Sequence, residues 1–554
     1  MAKQPEKITN DTFYVGLCMA GAVSAGAYTA GVMDYLLEAL SEWEKRRGEP
    51  GVPTHRVQIP VMGGASAGGM TSVMAATALN NPLTPVREPG ADLLAEHPEN
   101  KLYHSWVDLT GPDMFPKMLG TSDIKPGEVV SGLNSDFINP IAERVVSADP
   151  LNWKPLPPFI RPGLRVFTTL SNLQGFDYWF DFRNNAPEKA EYHMNIHNDY
   201  ACFELTENEI PGDNNGWIPL NLKEKINTDI AADAAMATGA FPVGLAPRKV
   251  KRPLNYIKAN LWLKDYLKGK QKISETSLNV DGGMINNEPF DKVRDVLNHL
   301  TGQEVDDYNN YDKFTNTVLM IEPFPTRKAG EISMDRDLLN VVGLTLSAMT
   351  SQMRTKPLNL KNAMDDNCAG QYLITPSRKE CAKDIKGDRA MACGALDGFS
   401  GFINKEFRVH DYFLGRHNCK WFLRNWFTIA AENIDKNPIF RNGYANADRE
   451  RFKAADGSYQ IIPVFLDEKD YQFPDLKFSS GSDWPMLKDS DIERFRGALK
   501  KRIQAVVLNI AKFGWLTRFL LWAGAKLVLN RLLAGKILDK IKSDLRTWKL
   551  LPPA

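Results

Sequence analysis

Two stretches near the start of the chain share one pattern of apolar and polar positions. In the first, the uncharged apolar run 13–19 is followed by the small-residue segment AGAVSAG and then, from Gly31 onward, by leucines at helical spacing. In the second, apolar residues 57–61 are followed by a glycine-rich stretch at 63–69 and by good helix formers at 70–79. Each pattern predicts a strand, a glycine-containing loop and a helix.

Three later apolar runs extend this alternation and predict further strands. They begin at Arg165 with RVFTTLSNL, at Ser277 with SLNV and at Thr317 with TVLMIEPF. Repeated strand and helix units favour an α/β fold in which helices cover a mostly parallel sheet. Ligands of such sheets bind beyond the carboxyl ends of the strands, so we expect the notable loops of this chain to lie together there.

The composition indicates an ordinary folded chain and excludes several classes of protein. Of the 554 residues, 43% are hydrophobic and 24% are charged, which is typical of globular domains and not of disordered or collagenous chains. The formal net charge of +1 leaves no chain-wide basic footprint for nucleic acid. No metal or cofactor is predicted either, because the sequence has neither a phosphate-cradling loop nor a cluster of metal ligands.

The cysteines and the N-terminus predict a cytoplasmic protein. Six cysteines without a CxxC pair are too sparse for a disulfide scaffold, which favours a reducing compartment, although one bridge among Cys368, Cys381 and Cys393 stays open. The uncharged stretch between Asp11 and Asp34 imitates a signal peptide or a membrane span. It consists mostly of Gly, Ala, Ser and Thr, however, which give it little transfer free energy, so we interpret it as a strand, a loop and a helix.

Ser66 is the strongest candidate for a catalytic residue. It lies at the centre of GASAG, the only GxSxG in the chain, between a predicted strand and a predicted helix. A serine on a sharp strand-to-helix turn needs small neighbours, here Gly64 and Gly68, and its hydroxyl then stands clear at the head of the helix. The helix N-terminus adds positive potential where an oxyanion would form. This context favours a nucleophile over a simple tight turn.

A serine hydroxyl is a poor nucleophile at neutral pH and needs a base. Asp281 is the best candidate because it follows the predicted strand SLNV and precedes Gly282 and Gly283, which let the backbone turn closely around it. A surface hairpin turn is the alternative interpretation of this DGG sequence. The eight histidines lie in no motif, and His299, on a predicted helix, is expected to be a structural or surface residue.

Together these stretches resemble the patatin-like phospholipase family. The resemblance rests on the GxSxG after a strand, the glycine-containing loop after the first strand, AADAAMATGAFPVGLAPRKV at 231–250 and the aspartate loop NVDGGMINNEP, and it covers about residues 12–324. It implies a three-layer αβα fold with a central, mostly parallel sheet. It also implies a lipid acyl hydrolase whose catalytic pair is Ser66 and Asp281, without a histidine.

The same resemblance implies an oxyanion hole made of backbone NH groups. The corresponding residues here are Gly21, Ala22, Val23 and Ser24, together with Ala67 after the nucleophile. The family loop usually has three glycines, two residues that commonly include arginine, and a further glycine, whereas this chain has GAVSAG. Because the donors are main-chain groups, the hole is expected to form without those glycines, but the departure leaves the identity of the donors open.

Beyond the catalytic region the composition changes. We predict a patatin-like catalytic domain at 1–355, a polar insertion or lid at 356–400, a mixed region at 401–499 that packs on the catalytic domain, and a basic amphipathic helical tail at 500–554. The tail has twelve Lys or Arg and only two Asp, and Trp515 and Trp522 flank its basic stripe. This pattern favours peripheral contact with an anionic membrane surface. A terminal helix packed on the protein's own core is the alternative.

Three functions from different classes follow. The leading hypothesis is a phospholipase A-type lipid acyl hydrolase that cleaves ester bonds of membrane lipids through Ser66, Asp281 and an acyl-enzyme. The second is a Ser-His-Asp esterase in which a histidine such as His299 is the base. The third is a catalytically silent membrane-associated adaptor, which the altered glycine loop suggests.

Overall fold

Side chains of the first strand, β1 (Thr12–Met19), enter two separate hydrophobic clusters. Phe13, Val15 and Leu17 pack into one large hydrophobic cluster. Cys18 points the other way and packs into a second, smaller cluster. Because side chains alternate between the two faces of a strand, a strand that is apolar at nearly every position must be covered on both faces.

The computed structural model describes residues 11–90, 93–108, 111, 114–149, 151–182, 190–207, 215–267, 273–302, 311–325, 341, 344, 348, 371–380, 383–465, 484–510 and 530–553. Within these residues nine strands form one sheet in the order β5-β4-β3-β2-β1-β8-β9, with β7 paired to β3 and β6 paired to β7. Most neighbours are parallel; the antiparallel pairs are β3 with β4, β3 with β7 and β6 with β7. The strands after β1 are β2 (Arg56–Gly64), β3 (Ile160–Phe182), β4 (Ala190–Leu205), β5 (Ile218–Leu220), β6 (Arg248–Lys251), β7 (Thr276–Asp281), β8 (Asn316–Ile321) and β9 (Gln371–Ile374). Two separate two-stranded sheets pair β10 (Ser377–Glu380) with β11 (Lys383–Lys386) and β12 (Thr428–Ile429) with β13 (Tyr459–Gln460).

Helices cover both faces of the sheet and make a three-layer αβα structure. Helices α1, α2 and α7 contribute to the large cluster, and α8 and α9 contribute to the small cluster on the opposite face. The helices are α1 (Gly26–Arg46), α2 (Ala67–Ala78), α3 (Leu93–Glu96), α4 (Lys101–Tyr103), α5 (Met114–Met118), α6 (Ile138–Val146), α7 (Thr228–Thr238), α8 (Leu254–Ala259), α9 (Phe290–Thr301), α10 (Ser400–Ile403), α11 (Lys405–Asn425), α12 (Ala431–Ile434), α13 (Pro438–Gly443), α14 (Asp489–Glu493), α15 (Arg496–Asn509) and α16 (Asn530–Thr547).

The long strand β3 pairs along one edge with two other strands, β2 and β7, which run in opposite directions. One edge of β3 pairs with β4, and the other edge pairs first with β2, as far as Gly64 opposite Thr168. The same edge then pairs with β7, which runs in the opposite direction and ends with Asp281 opposite Leu170. The strand predicted from Ser277 therefore forms, but it is antiparallel to β3. The carboxyl ends of β2 and β7 consequently face each other.

Helix α1 begins earlier than the predicted start at Gly31. The 3₁₀ turn Val23–Ala25 leads directly into α1 at Gly26. Gly26 lies against Trp106, where an added Cβ would be 2.4 Å from the indole ring. The small residues that predict a loop after β1 therefore also permit close packing at the start of the helix.

The described part of the predicted 356–400 insertion is built into the α/β unit. Strand β9 pairs in parallel with β8 at the edge of the sheet. Residues of the 390–395 stretch are fully buried, and Cys393 among them is a free thiol. The exposed positions of the β10–β11 hairpin account for much of the polar composition. Cys368 and Cys381 lie outside the described residues, and the domain boundaries stay a prediction.

The described parts of the C-terminal segment pack on the protein's own core. Leu499 of α15 and both Leu538 and Leu545 of α16 are buried in the large cluster. The buried Arg502 guanidinium pairs with the carboxylate of Asp123. For these two helices the alternative of a terminal helix on the core therefore holds.

The middle of the tail, with Trp515 and Trp522, lies outside the described residues. Its predicted membrane contact consequently stays a prediction. Across the part of the chain that the structure describes, no helix combines the length and the apolar character needed to cross a membrane.

Helices α1 and α11 cross with their backbones in contact. A Cβ added at Gly31 would lie 1.9 Å from the carbonyl oxygen of Tyr412, and one added at Gly415 would lie 2.2 Å from that of Tyr28. Glycine at these two positions is therefore required for the crossing, which places α11 beside the start of α1 and the loop before it.

Gly31→Ala is expected to destabilise the protein by about 1–3 kcal/mol, because the added methyl group meets backbone that cannot rotate away. Chemical denaturation measures the free energy of unfolding. Gly497→Ala on α15 is the matched control: no heavy atom lies within 4 Å of its added Cβ, and alanine favours the helix by up to about 1 kcal/mol. Equal stability of the two variants would contradict the close crossing.

Candidate active site

Ser66 lies on a strained turn between β2 and α2. Its backbone has φ 50° and ψ −127°, outside the regions that non-glycine residues favour. A Cβ added at Gly64 would lie 2.5 Å from the backbone carbon of Gly68, and one added at Gly68 would lie 2.1 Å from the carbonyl oxygen of Met19. Both motif glycines are therefore needed for the chain to turn so sharply at the serine.

The hydroxyl of Ser66 donates a hydrogen bond of 2.7 Å to Oδ2 of Asp281. The other carboxylate oxygen, Oδ1, accepts the NH of Gly283 at 2.8 Å, so the backbone fixes one oxygen and the second faces the serine. Both side chains are largely buried, since Ser66 is 6% exposed and Asp281 is 5% exposed. The structure thus brings together the two residues that the sequence singles out as nucleophile and base.

The backbone of Asp281 is held from several sides. Its NH donates to the carbonyl oxygen of Ala240 at 2.9 Å, and its carbonyl oxygen accepts the Ser171 hydroxyl at 2.8 Å. Gly282 lies against β3, where an added Cβ would be 2.1 Å from the carbonyl oxygen of Thr169. This DGG sequence is buried against the sheet, which rules out a surface hairpin turn.

The end of α7 contacts both members of the pair. Thr238, its last residue, accepts the NH of Ser66 on Oγ1 at 2.9 Å. Two residues later, the carbonyl of Ala240 accepts the NH of Asp281. Thr238 belongs to the 231–250 stretch that carries the family resemblance, but no periodicity or spacing in the sequence points to its contact with Ser66.

The loop after β1 approaches Ser66 closely. A Cβ added at Gly21 would lie 2.9 Å from the Cβ of Ser66. The NH of Gly21 donates to the carbonyl oxygen of Asn287 at 3.2 Å, so this predicted donor is already engaged. We find no acceptor within the described chain for the NH groups of residues 22–24. Ala67, at the first position of α2, presents a further backbone NH.

His299 and Ser66 lie at opposite ends of the parallel strands. Thr301, two residues after His299 on α9, accepts a hydrogen bond from Asn316 at the amino end of β8, whereas Ser66 follows the carboxyl end of β2. Partial burial and the neighbouring cations Arg165 and Lys264 lower the pKa of His299. All eight histidines are among the described residues, and none hydrogen-bonds to Ser66.

Comparison with known proteins agrees with this geometry. A family model described as patatin-like phospholipase matches residues 17–294, about half of the chain, and this range contains both members of the pair. The chain belongs to the patatin-like phospholipase family. A relative from Sinorhizobium fredii (strain NBRC 101917 / NGR234), named uncharacterized protein y4iI, is 31% identical over 479 residues, which are 77% of this chain and 65% of that relative. The chain thus spans just under two thirds of the length of that curated relative.

In this patatin-like protein, the predicted oxyanion loop GAVSAG departs from the usual glycine run at a strained position. Val23 has φ 49°, which a β-branched residue rarely adopts and which glycine adopts without steric penalty. The backbone therefore keeps a shape suited to glycine although the side chain differs.

Asn287 joins the two loops of the patatin-like site. Its carbonyl accepts the NH of Gly21, and its Oδ1 would lie 2.2 Å from a Cβ at Gly21 and 2.5 Å from a Cβ at Gly283. Glycine at both positions leaves room for this amide. In the sequence Asn287 is only one of the asparagines in NVDGGMINNEP, and its role follows from the structure, which buries its amide between Gly21 and Gly283.

Thr238→Val is expected to destabilise the nucleophile turn by about 1–3 kcal/mol, because it leaves the buried NH of Ser66 without its acceptor. Thr238→Ser keeps the hydroxyl and serves as the matched control. The measurements are the free energy of unfolding and the rate at which a fluorophosphonate labels Ser66. If the valine variant matched the serine variant in both, Thr238 would not hold the turn.

Proposed function

We propose that this patatin-like protein is a lipid acyl hydrolase of the phospholipase A type, with Ser66 as nucleophile and Asp281 as base. The 2.7 Å hydrogen bond from Ser66 Oγ to Asp281 Oδ2 carries the proposal. A serine nucleophile needs a base within hydrogen-bond reach, and the carboxylate occupies that place. Membership of the patatin-like family supports a lipid ester as the class of substrate.

The proposed reaction begins when the proton of the Ser66 hydroxyl moves to Oδ2 of Asp281 and Oγ attacks the ester carbonyl carbon. The carbonyl oxygen becomes an oxyanion, which the NH groups of residues 22–24 and of Ala67 would stabilise. The N-terminus of α2 adds positive potential at the same place. The bond to the lipid alcohol then breaks, the alcohol leaves with the proton from Asp281, and the acyl group stays on Ser66 as an ester.

Water completes the proposed cycle. Asp281 takes a proton from a water molecule, whose oxygen attacks the acyl carbon. The second tetrahedral intermediate collapses, Ser66 Oγ leaves with the proton held by Asp281, and the free fatty acid is released. The Gly283 NH on Oδ1 would keep the carboxylate in one orientation during both halves of the cycle.

An apolar turn beside the catalytic pair supports a substrate that lies in a membrane. Directly after Ala240, whose carbonyl contacts Asp281, Phe241 is 51% exposed and Val243 is 86% exposed. Val243 has φ 67°, which is strained for a β-branched residue. Its carbonyl oxygen accepts the NH of Gly132 at 2.6 Å, which holds the turn in place. A fixed, exposed apolar turn next to the site suits contact with the apolar region of a lipid surface.

The basic C-terminal segment is tied to the same turn. Arg502 Nε donates to the carbonyl oxygen of Gly132 at 2.9 Å, and the NH of Gly132 donates to Val243. Residues 500–554 have twelve Lys or Arg and two Asp. We therefore propose peripheral contact with anionic lipid through the turn and this segment together.

Ser66→Ala and Asp281→Asn are each expected to lower kcat for ester hydrolysis at least about a thousandfold, since one removes the nucleophile and the other the base. His299→Ala is the control and is expected to retain wild-type activity. Steady-state kinetics on phospholipid vesicles, with the released products identified by mass spectrometry, measure the effect. Loss of activity in His299→Ala would favour the Ser-His-Asp esterase, and an inactive wild-type protein without a fluorophosphonate adduct would favour the silent adaptor.

The double variant Phe241→Ser with Val243→Ser is expected to lower the ratio of vesicle hydrolysis to soluble-ester hydrolysis at least about tenfold, because the polar turn loses its contact with the apolar region of the membrane. The vesicles contain phosphatidylcholine and phosphatidylglycerol, and the soluble ester is p-nitrophenyl butyrate. The control is Trp426→Ser, since Trp426 is 69% exposed and lies near the far edge of the sheet, beyond β9. An unchanged ratio in the double variant would contradict the proposed contact.

A further inference from the structure

The predicted oxyanion loop and the turn opposite it together contain four residues with left-handed backbone conformations. On the loop itself Val23 has φ 49°. Opposite it, the short turn Leu396–Gly398 has three such residues in succession, with φ 55° at Leu396, 54° at Asp397 and 94° at Gly398. Leucine and aspartate are strained in this conformation, and they keep it only where surrounding contacts fix the backbone.

The side chain of Ser24 connects the loop to this turn. Its hydroxyl donates a short hydrogen bond to the carbonyl oxygen of Gly398 and accepts the NH of Gly401 at 3.1 Å. Ser24 is fully buried. A Cβ added at Gly398 would lie 3.2 Å from the Cβ of Val23 and 3.3 Å from the carbonyl oxygen of Ala22. The position of the turn therefore determines where the NH groups of residues 22–24 point.

The C-terminal helix α16 holds the Leu396–Gly398 turn. The NH of Leu396 donates to Oδ2 of Asp544 at 2.6 Å. Helix α16 is itself fixed, because Leu545 beside Asp544 is fully buried and Arg546 pairs with the carboxylate of Asp489 at 2.7 Å. Hydrogen bonds to a charged acceptor are among the stronger ones in proteins. Here the carboxylate of Asp544 accepts the NH of the first residue of the strained turn.

We propose that Asp544 is a positioning residue of the active site, which acts through the Leu396–Gly398 turn and Ser24 to hold the oxyanion loop. The proposal rests on the proposed function, since it assigns the NH groups of residues 22–24 to the oxyanion. Asp544 lies 250 positions beyond the end of the matched family region, at residue 294. In this protein the C-terminal helix thus completes the catalytic site.

The effect of losing Asp544 follows from the chemistry of the oxyanion. The negative charge forms only in the transition state, so a misplaced donor lowers kcat and leaves KM nearly unchanged. Removal of one such donor lowers kcat by about 100- to 1000-fold, and displacement by about 1 Å by about 100-fold. We expect Asp544→Ala to lower kcat about 10- to 100-fold.

The test compares full-length variants on p-nitrophenyl butyrate, with active sites counted by fluorophosphonate titration and folding followed by thermal melting. Asp544→Asn is expected to restore most of the activity, because its amide oxygen still accepts the Leu396 NH. Asp539→Ala is the matched control, since Asp539 is an exposed acid on the same helix. Ser24→Ala is expected to reproduce the loss, and its combination with Asp544→Ala is expected to lose less than the product of the two single effects.

Two results would overturn the proposal while the proposed function stands. One is a kcat of Asp544→Ala, per titrated site, within twofold of Asp539→Ala. The other is multiplicative loss in the double variant, which would show that the two residues act independently. If Asp544→Ala does not fold, Ser24→Ala decides, and a kcat within twofold of wild type sinks the proposal. A wild-type protein that neither reacts with the fluorophosphonate nor hydrolyses the ester would overturn the proposed function itself.

Discussion

The hydrogen bond between Ser66 and Asp281 depends on the way β3 is shared by two strands. β2 and β7 pair with successive parts of one edge of β3 and run in opposite directions, so their carboxyl ends face each other. Ser66 follows one of these ends, and Asp281 is the last residue of the other. A hydroxyl and a carboxylate that are 215 positions apart thereby come within 2.7 Å. The Gly283 NH and the end of α7 then fix the orientation of both groups.

Much of the strained backbone among the described residues lies around this pair. Of their eight non-glycine residues with positive φ, five lie at the turn after β2, on the predicted oxyanion loop or on a segment that contacts one of them, namely Ser66, Val23, Val243, Leu396 and Asp397; the other three are Lys225, Asn227 and Lys549. Such conformations persist only where the surrounding structure fixes them, and they cluster at functional sites. Here the fixing contacts come from distant parts of the chain: Thr238 on α7, Gly132 beneath the apolar turn, and Asp544 on the C-terminal helix. Contacts to these strained segments therefore come both from the region that matches the family and, at Asp544, from beyond it.

The residues that carry local signals can be predicted from the sequence. GxSxG and DGG point to Ser66 and Asp281, which the structure brings into a hydrogen bond, because tight turns demand glycine at fixed offsets, and apolar runs predict the main strands. Contacts between distant segments left no such signal. The pairing of β7 with β3 beyond the end of β2 depends on the length of β3, the engagement of the Gly21 NH depends on Asn287, and the burial of residues 390–395 depends on packing that a polar composition conceals. The structure also places α15 and α16 on the core, where their basic residues alone had favoured a membrane.

The central claim is that Ser66 carries the acyl group during turnover and that Asp281 generates the nucleophile. Rapid acid quenching of the protein during hydrolysis of an ester, followed by mass spectrometry of its peptides, tests this claim most directly. The account predicts an acyl adduct on the peptide that contains Ser66 in the wild-type protein, and no such adduct within the same mixing time in Asp281→Asn. An adduct on a different residue, or a fully acylated Asp281→Asn protein, would contradict it.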